Sequence, residues 1–254
     1  MPRSPVVSSR DEKDRTRQAR RRLRNLTLRL LARRRRQAVP HAPGRETQVD
    51  RGLLLVDVQN DFITGVLPVA GAARIIPTLN RYLELFAARS LPVYLARDWH
   101  PPDSAHFAQA GGSLPAHAVA GTLGAAFPDE LQVPVGSIVI PKGTMPREQG
   151  YSAFAGHHPG PATVQQCLAS SGIRTVYVGG LGPGVPATLI DGCQLGFDMV
   201  LLVDAVRGID GTAAQLRRTI DHVCRMGARV SQFDDVAREL EMATASASAA
   251  SSLP

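Results

Sequence analysis

Cysteine is scarce in this 254-residue chain: Cys167, Cys193 and Cys224 are the only three, with no CxxC pair and no even-numbered set. That excludes a disulfide framework. It fits a reducing compartment with thiols buried in segments that read as helices. Long apolar runs are missing as well. No stretch approaches the roughly 20 consecutive apolar residues that a membrane-spanning helix needs, and the chain does not open on a charged region followed by an apolar one, as a secretory signal would. A soluble cytoplasmic protein is expected. Acidic residues are nearly absent from residues 1–40, which hold 3 Asp/Glu against 14 Lys/Arg; the remainder holds 19 against 15. The formal charge of +7 therefore comes from the leader, and the rest of the chain is mildly acidic. A nucleic-acid or anionic-membrane partner is to be sought in residues 1–40 only.

In that leader Leu23, Leu26 and Leu30 fall at i, i+3 and i+7 among arginines, the narrow apolar stripe of a surface-lying helix. The plainer alternative is a disordered basic leader, or translated sequence upstream of the true start. Residues 1–50 are thus set apart as leader and linker, 51–236 as one folded domain, and 237–254 ("MATASASAASSLP" at its end) as a low-complexity tail not expected to pack.

Within 51–236 strand and helix signals alternate. Leu53–Asp57, Pro92–Ala96, Ser137–Ile140, Thr175–Gly179 and Met199–Val203 read as strands, with a short sixth near "ARVSQ"; a helical pattern covers about 72–89. Strands apolar on both faces and separated by helices imply a parallel sheet covered on both sides. The carboxyl ends of such strands are where chemistry is expected, and they carry polar side chains. Asp57 closes the first apolar run. "LARDWHPPDSAHF" brings Asp98 and His100 two apart; in extended chain both point the same way and can share a metal. His117, or His106 at closer spacing, would complete a three-ligand set. Lys142 follows the third strand, with Tyr151 and Phe154 beyond it.

These residues resemble the nicotinamidases of the isochorismatase-like cysteine hydrolase superfamily. The match rests on Asp57-Val-Gln-Asn-Asp-Phe62, Asp98-Trp-His-Pro101, Pro115-x-His117-x-Val-x-Gly-Thr-x-Gly124, Lys142-Gly-Thr and Tyr151-Ser-Ala-Phe154, in family order from about 51 to 232. The resemblance implies a three-layer α/β/α domain around a six-stranded, mostly parallel sheet, often assembled as a homo-oligomer, and an amide hydrolase acting on nicotinamide or a related pyridine carboxamide. It implies Asp57 as general base, Lys142 as its cationic partner, and Asp98, His100 and His117 as ligands of a zinc, iron or manganese ion that takes the pyridine nitrogen. It places Phe62, Trp99 and Tyr151 around the substrate ring, while Phe154 reads as core packing.

The resemblance breaks at "GGLGPGVPATLIDG". Relatives carry a pattern similar to G-L-A-T-D-Y-C-V-x-A-T-x-x-D, whose cysteine is the nucleophile. Val185, Ala187, Thr188 and Asp191 align with it, so the cysteine position falls on Gly184, in a turn one or two residues shorter. Cys193 stands nine residues along the same helix, about 13 Å away at 1.5 Å per residue, and Cys167 and Cys224 belong to other helices. None replaces the missing thiol. A phosphate cradle at Gly180–Gly184 fits no fingerprint spacing, and Pro183 and Pro186 remove two donors. Three readings follow: an impaired hydrolase, a metal- and ligand-binding pseudoenzyme, or a domain recruited elsewhere by its basic leader.

Overall fold

Four consecutive apolar residues, Leu53 to Val56, are each no more than 1% exposed, so the first strand is covered on both faces. That burial selects a central position in a parallel sheet. In the computed structural model, which describes residues 50–148, 150–157, 160, 162–208 and 212–250, this strand is β1 (Arg51–Val56). It lies between β2 (Val93–Asp98) and β4 (Thr175–Leu181). The sheet has six strands in the order β3-β2-β1-β4-β5-β6, every pair parallel, with β3 at Ile138–Lys142, β5 at Asp198–Arg207 and β6 at Arg229–Ser231.

Helices cover both faces. A short α1 (Asn60–Ile63) follows β1, and α2 (Ile76–Ala87) buries Leu79, Tyr82, Leu83 and Phe86 against the side of the sheet carrying Leu53 and Leu55. On the opposite side α3 (Val164–Ser170), α4 (Gly184–Leu195) and α5 (Ala213–Arg225) pack over Leu54, Val56, Val176 and Val178. The three-layer α/β/α architecture with a six-stranded parallel sheet is the one the motifs implied. Strand order reverses between β1 and β4, and in open parallel sheets that switch point opens a crevice at the strands' carboxyl ends.

Three expectations need correction. The third strand extends two residues past Ile140, so that Lys142 is its last member, paired in register with Asp98. Pro141 made the run look finished, but β3 is an edge strand, where a missing amide donor leaves no ladder bond unmade. The boundary drawn at 236 falls inside a helix: α6 runs Phe233–Ala250, with Val236 and Leu240 buried in the core beside α2. Its Ala-rich end reads as low complexity, yet alanine is the strongest helix former. The thiols are not buried either. Cys167 and Cys193 are half-buried and Cys224 is exposed.

The leader, residues 1–40, lies outside the described residues. Among those described, no helix is long and apolar enough to cross a membrane.

Candidate functional site

Three strand ends supply side chains, and a fourth leads into a glycine. Asp57 comes directly after β1 with φ 58, left-handed geometry that Asp tolerates better than most residues. Its amide still donates to Ala96 of β2 at 2.9 Å, so the strained residue is tied to the sheet. Asp98 and Lys142 end β2 and β3, and α4 begins at Gly184 just after β4.

Lys142, 1% exposed, bridges two carboxylates: its Nζ stands 3.0 Å from Asp57 Oδ1 and 2.5 Å from Asp98 Oδ1. Burial by itself would lower the lysine's pKa, but Asp57 and then Asp98 more than reverse that, and it is raised. Burial pushes Asp57 from the ordinary 3.8 up to about 7, against the pull of Lys142. Asp98 goes the other way. Although burial opposes it, Lys142 and the His100 ring hold its carboxyl down at about 2.

The folded pKa of Asp57 lies above its unfolded value, so between about pH 4 and 7 the folded protein keeps a proton that the unfolded chain releases, and stability falls as pH rises through that window. Urea unfolding of chelated protein is expected to show this decline. In Asp57→Asn the pH 4–7 segment flattens; an unchanged slope would assign the decline to another group.

Three potential ligand atoms, from Asp98, His100 and His117, lie within 4.8 Å of one another. His100 Nδ1 contacts the Gly143 carbonyl at 2.9 Å, and His117 Nδ1 contacts that of Pro115 at 2.8 Å. With each Nδ1–H donating to a carbonyl, each Nε2 keeps its lone pair free, and His100 Nε2 stands 3.7 Å from Asp98 Oδ2. Two imidazoles and one carboxylate with preset tautomers suit a zinc, iron or manganese ion. His106, the alternative third ligand, turns its Nε2 to the Glu148 carbonyl at 3.0 Å instead.

The aromatic candidates separate. The Phe62 ring meets His117 edge-on at 5.7 Å, and Tyr151, half-exposed, faces His106 at 6.1 Å, so both border the histidines. Trp99 does not. One residue beyond Asp98, it turns to the other face of the sheet, where Arg97 lies 3.8 Å over its ring and the α2-side core packs against it. Phe154 stacks on Phe197 at 5.6 Å, as core packing.

Gly184 touches the site by having no side chain. A Cβ there would stand 2.3 Å from Asp57 Oδ2, 2.9 Å from Val56 Cγ1 and 3.1 Å from the Tyr151 carbonyl. The carboxylate of Asp57 therefore fills the volume a side chain at 184 would enter. It also makes the turn a poor anion cradle, since like charge faces the helix start. None of the cysteines reaches this point: Cys193 is in the last turn of α4, Cys167 in α3 and Cys224 near the end of α5.

Sequence reasoning passed over several residues that build the site. Gln59, fully buried, clamps Asp98 by both its backbone groups, accepting from the Asp98 amide and donating to its carbonyl at 2.8 Å each. Phe107 wedges edge-on against His100 and His117 at 5.8 and 5.5 Å. Gly143 has φ 64, and a Cβ on it would strike the His100 ring. Gln59 lies inside the quoted Asp57–Phe62 motif, which was the one available signal for it.

The domain that carries this site is similar to known proteins. The model of the isochorismatase domain matches residues 51–235. A nicotinamidase of Acinetobacter baylyi is 32% identical over 179 residues, 62% of this chain and 81% of that protein. The nicotinamidase/pyrazinamidase of Mycobacterium tuberculosis is 32% identical over 186 residues, covering 68% of this chain and 98% of its own. Among solved structures, the pyrazinamidase of Pyrococcus horikoshii in complex with zinc superposes with a TM-score of 0.66 at 33% identity, over 73% of this chain and all of that one.

Proposed function

The chain belongs to the isochorismatase family, and from that premise we propose that its pocket takes nicotinamide or a related pyridine carboxamide and hydrolyses it slowly, without a covalent intermediate. The observation that carries this reading is Lys142 held between Asp57 and Asp98 beside the two histidines. This reading takes Asp57 and Lys142 as the acid-base pair and Asp98, His100 and His117 as metal ligands, with Gly184 at the position that the family's motif gives to cysteine. A divalent ion bound by Asp98, His100 and His117 would anchor the ring nitrogen and supply Lewis acidity.

The protein's own groups do the rest. Asp57 accepts a proton from the attacking water as its oxygen bonds to the acyl carbon, then returns that proton to the departing nitrogen as the C–N bond breaks. The products are the acid and ammonia. A group titrating near 7 suits both transfers at neutral pH. Lys142 keeps Asp57 oriented, and Phe62 and Tyr151 flank the ring.

The carboxylate crowded against Gly184 favours a second reading, a binding pseudoenzyme that keeps the ligand and does not turn it over. Ammonia and acid release from nicotinamide by the purified full chain, with added zinc or manganese and with chelator, separates the two. Slow, metal-dependent release above the protein-free rate is expected. Nicotinamide binding that survives with no release would establish the pseudoenzyme, and no binding at all would remove both readings.

A further inference from the structure

Asp61 carries a buried carboxylate for which the proposed chemistry has no use, and its bonds lead to the histidine cluster. It is 9% exposed and sits in the four-residue helix α1. Its Oδ2 accepts the amide of Ala118 at 2.8 Å, its Oδ1 accepts that of Val66 at 3.4 Å, and its own amide donates to the Gly124 carbonyl at 3.0 Å. A Cβ on Gly124 would fall 2.2 Å from Oδ2, so the loop after His117 closes directly over this carboxylate.

Ala118 is the junction. It follows His117, it is fully buried, and its φ of 45 is a left-handed conformation that an alanine holds only when its surroundings enforce it. Its carbonyl accepts the amide of His100 at 3.0 Å, and the His100 carbonyl accepts that of Ala120 at 2.9 Å. The backbone of Ala118 thus joins one histidine covalently and the other by a hydrogen bond, and its remaining polar group, the amide, is fixed by Asp61. Asp61 thus acts on that conformation from α1, alongside the bond from His100 just past the end of β2.

We propose that Asp61 is a positioning residue for the metal cluster: by holding the Ala118 amide in left-handed geometry, it sets the distance and angle between His100 and His117. The inference rests on the reading of Asp98, His100 and His117 as metal ligands. Removing Asp61 lets Ala118 relax towards an ordinary φ, which swings His117 and frees the Nε2 pair from its preset spacing. Loss of an outer partner of this kind weakens a metal site by about 10–100-fold.

The test uses cobalt(II) and zinc alone as probes with the full chain. Asp61→Ala removes the acceptor, and Asp61→Leu removes it while nearly keeping the shape, so one of the two serves if the other does not fold. Asp61→Asn keeps one acceptor oxygen. The expected result is cobalt and zinc dissociation constants raised about 10–100-fold in the Ala and Leu variants, with an altered cobalt absorption spectrum, and near-native values in Asn. As a control, Asp204 accepts from Tyr82 Oη at 2.9 Å and the Phe233 amide at 3.0 Å, bonds that lead nowhere near the cluster. Asp204→Ala is expected to lower the melting temperature and leave both metal constants and the spectrum unchanged. A folded Ala or Leu variant with the wild-type constant and spectrum overturns the role of Asp61 alone. A wild type that binds neither cobalt nor zinc overturns the metal reading, and this inference with it.

Discussion

Gly184→Cys is expected to raise ammonia release from nicotinamide by at least about 10²-fold, the gain that a positioned base gives an attacking group. The new thiol would begin α4, where the helix dipole favours a thiolate, and it would lie against Asp57, which can take its proton. The substitution has a steric cost, because its Cβ lands 2.3 Å from Asp57 Oδ2. To admit it, the Asp57 carboxylate beside Lys142 and the Val56 side chain, whose Cγ1 would stand 2.9 Å away, must both shift. Gly184→Ala makes the same push without sulfur and is expected to bring no gain. Asp57→Asn on the cysteine background is expected to abolish the gain. A folded cysteine variant that binds nicotinamide and releases ammonia no faster than the wild type would show that the shortened Gly180–Gly184 turn cannot present its amides to the developing oxyanion, or that residue 184 is not the nucleophile position.

The strand ends were legible in the sequence because each ended an apolar run on polar residues: Asp57 after Leu53–Val56, Arg97 and Asp98 after Val93–Ala96. Period-two alternation then put Asp98 and His100 on one side and Trp99 on the other. The same alternation argues against Trp99 as a ring contact, and only the family likeness had placed it there. His117 could not be separated from His106 by spacing, since what separates them is a loop conformation. Ala118 at φ 45 turns His117 inward, while His106, its ring also 5.2 Å from that of His100, spends its Nε2 on the Glu148 carbonyl. Backbone-directed side chains such as Gln59 and Asp61 leave no periodic signal, because their partners are amides and carbonyls that every residue has. The packing of α6 was hidden for a related reason: Val236 and Leu240 are too few to outweigh the Ser/Ala composition that follows them.

Lys142→Met is expected to be the most destabilising single change at the site. Methionine fills the length of the lysine stem but leaves the carboxylates of Asp57 and Asp98 buried without their shared cation. Breaking a buried pair from one side costs about 3–5 kcal/mol. In a domain of this size each kcal/mol lowers the melting temperature by about 2–4 °C, so a drop of roughly 6–20 °C is expected. The cause is uncompensated negative charge, which gives the loss two further signatures. Adding Asp57→Asn removes one of the charges and is expected to restore most of the stability. Lowering the pH of the single variant towards 4–5 is expected to do the same, since Asp57, held at about 7 even with the lysine present, then takes up its proton. Urea unfolding of the chelated proteins at pH 5 and pH 8 reads both. If Lys142→Met unfolded within about 1 kcal/mol of wild type at pH 8, as an exposed pair would, the lysine would not be what makes two buried carboxylates compatible, and the acid-base role proposed for the pair would fall with it.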